Sequence, residues 1–210
     1  KFIREDSSMK KCGSWIAGLF LFSPAMAQSG LAVNAGINIP IMCYASVNTG
    51  NPNAGYARTG LTLDISYTHP FNATTGFKTV IYYTSNPSGN NTALSNGPFR
   101  MAGLMAGPSL TSNNNRKWQC SFSPLAGFSR VWVPQLRLQG QPLLYAQSVN
   151  CFSWGADLSL RYRISENSFV RLGAGHLNMK PRLDARHTSS AKSEQHIVVV
   201  STSAGIGWQW

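Results

Sequence analysis

The residues of this sequence that could carry covalent chemistry are few, and their spacing suits it poorly. There are four histidines: His69, His176, His187 and His196. A histidine beside a hydroxyl nucleophile could remove its proton and start an acyl transfer or hydrolysis. His187-Thr188-Ser189 has that spacing, but it falls in a polar connecting stretch. His176 sits in a patterned segment and is followed by Asn178 where a serine is wanted. His69 falls in a short turn, and His196 opens the last patterned segment. No catalytic residue is assigned on these grounds. The cysteines Cys12, Cys43, Cys120 and Cys151 form no C-x-x-C pair, so no metal site is expected. Cys43 and Cys151 could be bonded in an oxidising compartment, or could remain free thiols. No cofactor is called for.

The formal net charge is +11, yet only 12% of residues are charged. A basic chain invites a nucleic-acid reading. Here the basic residues stand singly in Gly-rich alternating segments, with no basic helix, and nucleic acid is excluded as a partner. An anionic membrane surface fits better.

The elements that must position these residues are strands. In 31–39, Leu31, Val33, Ala35, Ile37 and Ile39 alternate with Ala32, Asn34, Gly36 and Asn38. Successive side chains of a strand point to opposite faces, which gives one apolar and one small polar face. The same alternation runs through about 56–67, 118–132, 152–163 and 196–210, and less cleanly through 77–84, 98–109 and 168–180. That makes eight strands. The connections near 68–76, 111–117 and 164–168 are short. Those near 41–55, 85–97, 134–150 and 181–195 are long and rich in Asn, Ser, Gly and Pro.

Before the strands lies a leader. Met9-Lys10-Lys11 is a basic start, Trp15 to Phe22 an apolar core, and Ala25-Met26-Ala27 an A-x-A cleavage site. These are the three parts of a signal peptide. The expected organisation is an upstream extension over 1–8, a signal peptide over 9–27 and a barrel over 28–210.

A soluble sandwich or lipocalin-like barrel also has eight or so alternating strands, but it turns its apolar face inward. Here one face is small and polar, and the other carries Trp118, Trp154, Trp208 and Trp210. Small polar residues fill a narrow lumen, and large apolar ones suit lipid. The expected fold is an all-β, eight-stranded antiparallel up-and-down transmembrane β-barrel. Charges sort accordingly, because a cation facing lipid at mid-bilayer costs about 2–4 kcal/mol. Asp64, Asp157, Arg161 and Arg171 fall on the inward register and are expected to form an internal ion network. Arg100, Arg130 and Lys180 fall on the outward register near the outer ends of their strands, where they could meet the phosphates of lipopolysaccharide. Arg182, Arg186 and Lys192 in the last connection could attract a polyanionic or acidic partner.

Phe99-Arg-Met-Ala-Gly-Leu-Met-Ala-Gly-Pro-Ser-Leu110 resembles the fourth strand of the Ail/OmpX/Lom family of attachment–invasion outer-membrane proteins. Ser123-Pro-Leu-Ala-Gly-Phe-Ser-Arg130 resembles that family's fifth strand. Trp154-Gly-Ala-Asp-Leu-Ser-Leu160 with Ser165-Glu-Asn-Ser168 is similar to its sixth strand and the turn that follows. The ending Ala204-Gly-Ile-Gly-Trp-Gln-Trp210, with Ile206, Trp208 and Trp210 on one face, resembles the terminal signal read by the barrel-assembly machinery, with Trp in place of the usual last Phe. The resemblance implies the outer membrane as address, with its lipid and lipopolysaccharide as partners. It also implies external loops that act in adhesion to host matrix or serum proteins, or in serum resistance. The alternatives are an envelope-stabilising barrel with no host ligand and, less well supported, a lipid A-modifying enzyme.

Overall fold

The computed structural model describes residues 29–46, 55–88, 93–95, 97–112, 117–138, 141–144, 146–184 and 192–210. Both the 1–8 extension and the 9–27 leader lie outside the described residues, as do Arg186 and the His187-Thr188-Ser189 run.

Eight long strands close into a barrel: β1 (Gly30–Ile41), β2 (Gly60–Pro70), β3 (Thr75–Asn86), β5 (Phe99–Thr111), β6 (Trp118–Val133), β9 (Gln147–Arg163), β10 (Ser168–Met179) and β13 (Ile197–Gln209). Among the described residues, five short strands stand in the connections: β4 (Ala93–Ser95), β7 (Leu136–Leu138), β8 (Gln141–Leu144), β11 (Arg182–Asp184) and β12 (Lys192–Glu194). Around the barrel the order is β1-β13-β10-β9-β6-β5-β3-β2, every pair antiparallel. Closure matters physically. A sheet in hydrocarbon cannot leave an edge of unpaired N–H and C=O groups, and a barrel has no edge.

The alternation sets the faces as the sequence requires. Leu61 is 69% exposed and Phe128 73%, while Asn34 and Ser123 on the opposite parity are at 1% and 0%. A continuous exposed belt of Val33, Ile37, Leu63, Ile65, Leu104 and Leu158 is stable only against lipid tails. Aromatic residues border it. At the end of the barrel with the short turns, Trp118 packs on Tyr162 at 4.6 Å and Tyr67 stacks with Trp210 at 6.4 Å. Toward the long connections lie Tyr83, Trp132 and Trp154.

Two expectations need correcting. First, the lumen is not uniformly small and polar. β3, β5 and β10 alternate imperfectly because they carry bulky apolar residues on both faces: Val80, Tyr82, Met101, Met105, Leu177 and Met179 all point inward and are buried. They fill the outer half of the lumen. Second, the long connections are not wholly irregular. β4, β7 and β8 form a small sheet in the order β4-β7-β8, and β11 pairs with β12. β9 also begins at Gln147, inside the stretch 134–150 expected to be loop.

Backbones also approach closely where glycine alone fits. A Cβ on Gly36 would stand 1.9 Å from the Thr202 carbonyl oxygen, and one on Gly127 2.0 Å from that of Leu104.

An Ile65→Arg substitution, in the middle of β2 and facing outward, is expected to lower stability by about 2–4 kcal/mol in lipid bilayers. Urea unfolding of refolded protein in vesicles measures it, with Ile65→Ala as the reference.

Candidate functional site

Two clusters of charge are positioned by this register, one inside the barrel and one outside.

Inside, Asp157 on β9 is the centre. Both Lys78 of β3 and Arg171 of β10 donate to it, the arginine from Nη2 to Oδ2 at 2.5 Å. Arg171 Nη1 lies 3.7 Å from Asp64 Oδ1, and Asn34 Nδ2 donates to that same oxygen at 2.6 Å. Lys78 and Arg171 are at 0% and 1% exposure. Buried charges survive only when paired and hydrogen-bonded, and these are held across four strands. Gly173, next but one to Arg171 on β10, makes room: a Cβ there would meet the guanidinium at 3.2 Å.

The structure thus brings Asp64, Asp157 and Arg171 together, and it corrects the fourth member. Arg161 does not pair with a carboxylate among the described residues. It donates from Nη2 to Thr68 Oγ1 at 2.8 Å and lies 5.1 Å over the Phe169 ring, nearer the short-turn end. Its place is taken by Lys78. The signal for Lys78 was available: it shares parity with Val80, Tyr82 and Thr84, and a lysine within a lipid-spanning strand must point inward. With bulky residues on both faces of 77–84, that parity is hard to read.

Outside, Arg100 pairs across β5–β6 with Trp132, and Ala102 pairs with Arg130. The two arginines are therefore diagonal neighbours on the outward face. Arg130 lies 5.5 Å over the Trp132 ring and donates from Nη2 to Ser148 Oγ at 3.1 Å. A groove of about 400 Å³ runs beside Arg100 and Trp132, lined also by Tyr83, Gly97, Pro98, Val133 and Pro134. One step further into the belt comes an apolar row: Ile81, Leu104, Phe128 and Phe152, all exposed, with the two phenylalanines edge to face at 6.2 Å. Cation and indole therefore stand directly above hydrocarbon-facing rings.

The other predicted residues are placed as follows. Lys180 is exposed, just past the end of β10 and away from the arginine pair. Arg182 is exposed at the start of β11. Lys192 lies in β12, and its side chain is outside the described residues. Ile206, Trp208 and Trp210 line up outward, and the Trp210 N–H donates to the Ser29 carbonyl at 3.0 Å. His176 packs on Trp154 at 5.8 Å on the outward face, and Asn178 bonds His196 at 3.0 Å. His69 bonds the Ser29 hydroxyl at 3.0 Å. Cys43, Cys120 and Cys151 are free thiols, so the Cys43–Cys151 bond is not formed.

The ion network makes a discriminating prediction. Asp157→Asn leaves two buried cations without their shared carboxylate charge and is expected to cost about 3–5 kcal/mol. Lys78→Met removes one cation and leaves Asp157 bonded to Arg171, so it costs clearly less. Unfolding midpoints of the two variants in vesicles, measured side by side, check the order.

No family model and no curated protein matches the sequence. Solved structures do match it. Neisserial surface protein A aligns with a TM-score of 0.56 at 12% identity, over 89% of this chain and 100% of its own. The outer membrane protein OprG from Pseudomonas aeruginosa aligns at 0.55 and 9%, over 89% and 98%. Ail, the attachment invasion locus protein of Yersinia pestis, aligns at 0.53 and 13%, over 89% and 100%. At these identities the likeness is one of fold, and it agrees with the closed strand order and the lipid-facing belt. The chain has the eight-stranded outer-membrane barrel fold that Ail, Neisserial surface protein A and OprG share.

Proposed function

We propose that this protein resides in the bacterial outer membrane and seats phosphates of lipopolysaccharide against Arg100 and Arg130. The observation that carries this is their geometry: a guanidinium pair and an indole, diagonal across two strands, immediately above an exposed apolar row. Acyl chains lie along Leu104 and Phe128 while phosphate meets the guanidinium groups, which are suited to bidentate recognition of that group. Lys180 adds a third cation on another part of the rim. Delivery follows from the leader and from the outward Ile206, Trp208 and Trp210, read by the barrel-assembly machinery.

The external connections then act beyond the membrane, in adhesion to host surfaces or serum proteins or in resistance to serum killing. Ail has been solved in complex with the heparin analogue sucrose octasulfate, with an alignment to this chain at a TM-score of 0.51 and 12% identity. For this chain a sulfated or acidic partner would meet Arg182, Arg186 and Lys192. The reading is of a binding and packing protein, not an enzyme. Mass spectrometry of lipid A from cells with and without the protein tests that part, and loss of an acyl chain would overturn it.

A second reading, a barrel that only strengthens the envelope, predicts detergent sensitivity on deletion and no adhesion defect. Whole-cell binding to fibronectin or laminin, with the four long connections trimmed one at a time, separates the two. Arg100→Ser with Arg130→Ser tests the lipid contact. A cation near an anionic surface contributes about 1 kcal/mol, so the pair should lower lipopolysaccharide affinity roughly thirtyfold. Binding to immobilised lipopolysaccharide that is unchanged in the double variant would sink the assignment.

A further inference from the structure

We propose that the groove beside Arg100 and Trp132 seats a sugar ring of the lipopolysaccharide headgroup against Trp132 and Tyr83, so that this wall of the barrel selects phosphorylated glycolipids over glycerophospholipids. The inference rests on the lipopolysaccharide reading above and adds which part of the headgroup is recognised beyond its phosphate.

The pairing register lays out three rungs on the outward face of β3, β5, β6 and β9. Ile81, Leu104, Phe128 and Phe152 form the lowest; Tyr83, Ala102, Arg130 and Asn150 the next; Ser85, Arg100, Trp132 and Ser148 the uppermost. The lowest rung is wholly apolar and exposed, so it lies against acyl chains. Four residues along a strand advance about 13 Å, or roughly 10 Å in height at the usual tilt of barrel strands. The groove draws its walls from the upper two rungs, through Tyr83, Arg100 and Trp132. It therefore opens among headgroups and not among hydrocarbon tails.

Its shape and lining ask for more than a phosphate. The volume, about 400 Å³, is that of a small-molecule site, and a phosphate group fills only a small part of it. Most of the wall is apolar. The exposed rings of Tyr83 and Trp132 are joined there by Pro98 and Pro134. A phosphate gains nothing from such walls, and an acyl chain gains nothing from Arg100. A sugar ring has both characters. Its C–H faces are apolar and pack on aromatic rings, while its rim carries hydroxyl groups and phosphate toward a guanidinium.

The charge around the groove agrees. Arg100 lines it, and none of the lining residues is acidic. The carboxylates of the described residues lie elsewhere: Asp64 and Asp157 in the lumen, Glu166 in the short turn before β10, and Asp184 and Glu194 in β11 and β12. Arg130 is not part of the lining. It reaches toward β9, where it donates to Ser148, and lies over the Trp132 ring at 5.5 Å. The groove is on the β3 and β5 side of the same indole. Trp132 thus serves two neighbours: it steadies Arg130 toward β9 and offers a wall to the sugar toward β5.

Diphosphoryl lipid A and cardiolipin test the assignment, because each carries two phosphates and several acyl chains but only lipid A has sugar rings. Native mass spectrometry of the purified protein in detergent measures the affinity for each lipid in turn. The unaltered protein should hold lipid A about tenfold more tightly than cardiolipin, the worth of one or two aromatic contacts. Tyr83→Leu with Trp132→Leu should bring that ratio to about twofold or less; both side chains face outward, so the barrel interior is untouched. Arg100→Ser with Arg130→Ser should weaken both lipids alike. Equal affinity for the two lipids in the unaltered protein, or a ratio that the aromatic substitutions do not move, overturns the sugar seat and leaves the phosphate reading standing. Unchanged binding of both lipids in the arginine variant overturns the phosphate reading itself. Nanodiscs containing lipid A give a direct readout by nuclear Overhauser contacts from the Trp132 indole. Contacts to sugar-ring protons are expected, and contacts to acyl methylenes alone would show a chain in the groove and overturn the proposal.

Discussion

Asp157 accepts from Lys78 and Arg171 at once, and the barrel's interior is arranged around that shared carboxylate. The three residues come from β9, β3 and β10, so one buried interaction joins strands on opposite sides of the lumen. It also explains the small residues nearby. Gly173 leaves space for the Arg171 guanidinium, and Gly175, Ser123 and Ser201 keep the wall low around the carboxylate. Larger inward residues at those positions would push the charges apart. A buried ion pair adds little net stability compared with apolar packing, but breaking one is costly. Its effect here is therefore to penalise any register in which the three residues fail to meet.

The register in turn fixes the outside. A shift of one residue exchanges every inward side chain for an outward one. The same pairing that brings Asp157 to Lys78 therefore turns Leu104, Phe128 and Phe152 to lipid and lifts Arg100 and Arg130 above them. Interior charge and exterior cation pair are two consequences of one alternation. The division of the lumen into a charged layer and an apolar layer follows as well. Polar residues dominate toward the short turns, where Thr68, Gln119, Ser121 and Ser159 face inward. Near the outer mouth, Met101, Val131 and Ile197 provide a dry seat that only apolar groups such as Tyr44 and Phe99 can fill.

How much of this was legible in the sequence depended on whether a single strand carried the information. β1, β2, β6, β9 and β13 have one small polar face, and their parity alone places Asp64, Asp157, Arg100's partner Trp132 and the terminal tryptophans. β3 has Val80 and Tyr82 inside and Ile81 and Tyr83 outside, so hydrophobicity does not distinguish its faces. Lys78 is the only residue in its middle whose direction physics dictates, and it was missed. The separation of Arg161 from the carboxylates was not legible for a different reason. Parity puts a residue inside the barrel but says nothing of its height relative to residues on other strands. That depends on the stagger between strands, a property of the closed sheet and not of any one segment. The burial of Tyr44 was out of reach for the same cause: it lies in a polar stretch, and its burial depends on an apolar mouth assembled from β5, β6, β10 and β13.

The outward arginines show where local pattern and closed structure have to be combined. Each arginine alone reads as a residue snorkelling to the interface. What changes the reading is that Ala102 and Trp132 are their cross-strand partners. A groove opens beside Arg100 and Trp132, and the indole holds the Arg130 guanidinium in place over its face. A cation fixed in this way has lost less freedom on meeting a phosphate than one on an unsupported stem, and that preorganisation raises affinity without adding a contact. The groove lies on the wall formed by β3, β5 and β6, whereas Lys180 stands past β10 on another part of the rim. In the proposed lipid contact the barrel would thus offer one prepared face and not a uniform ring of charge.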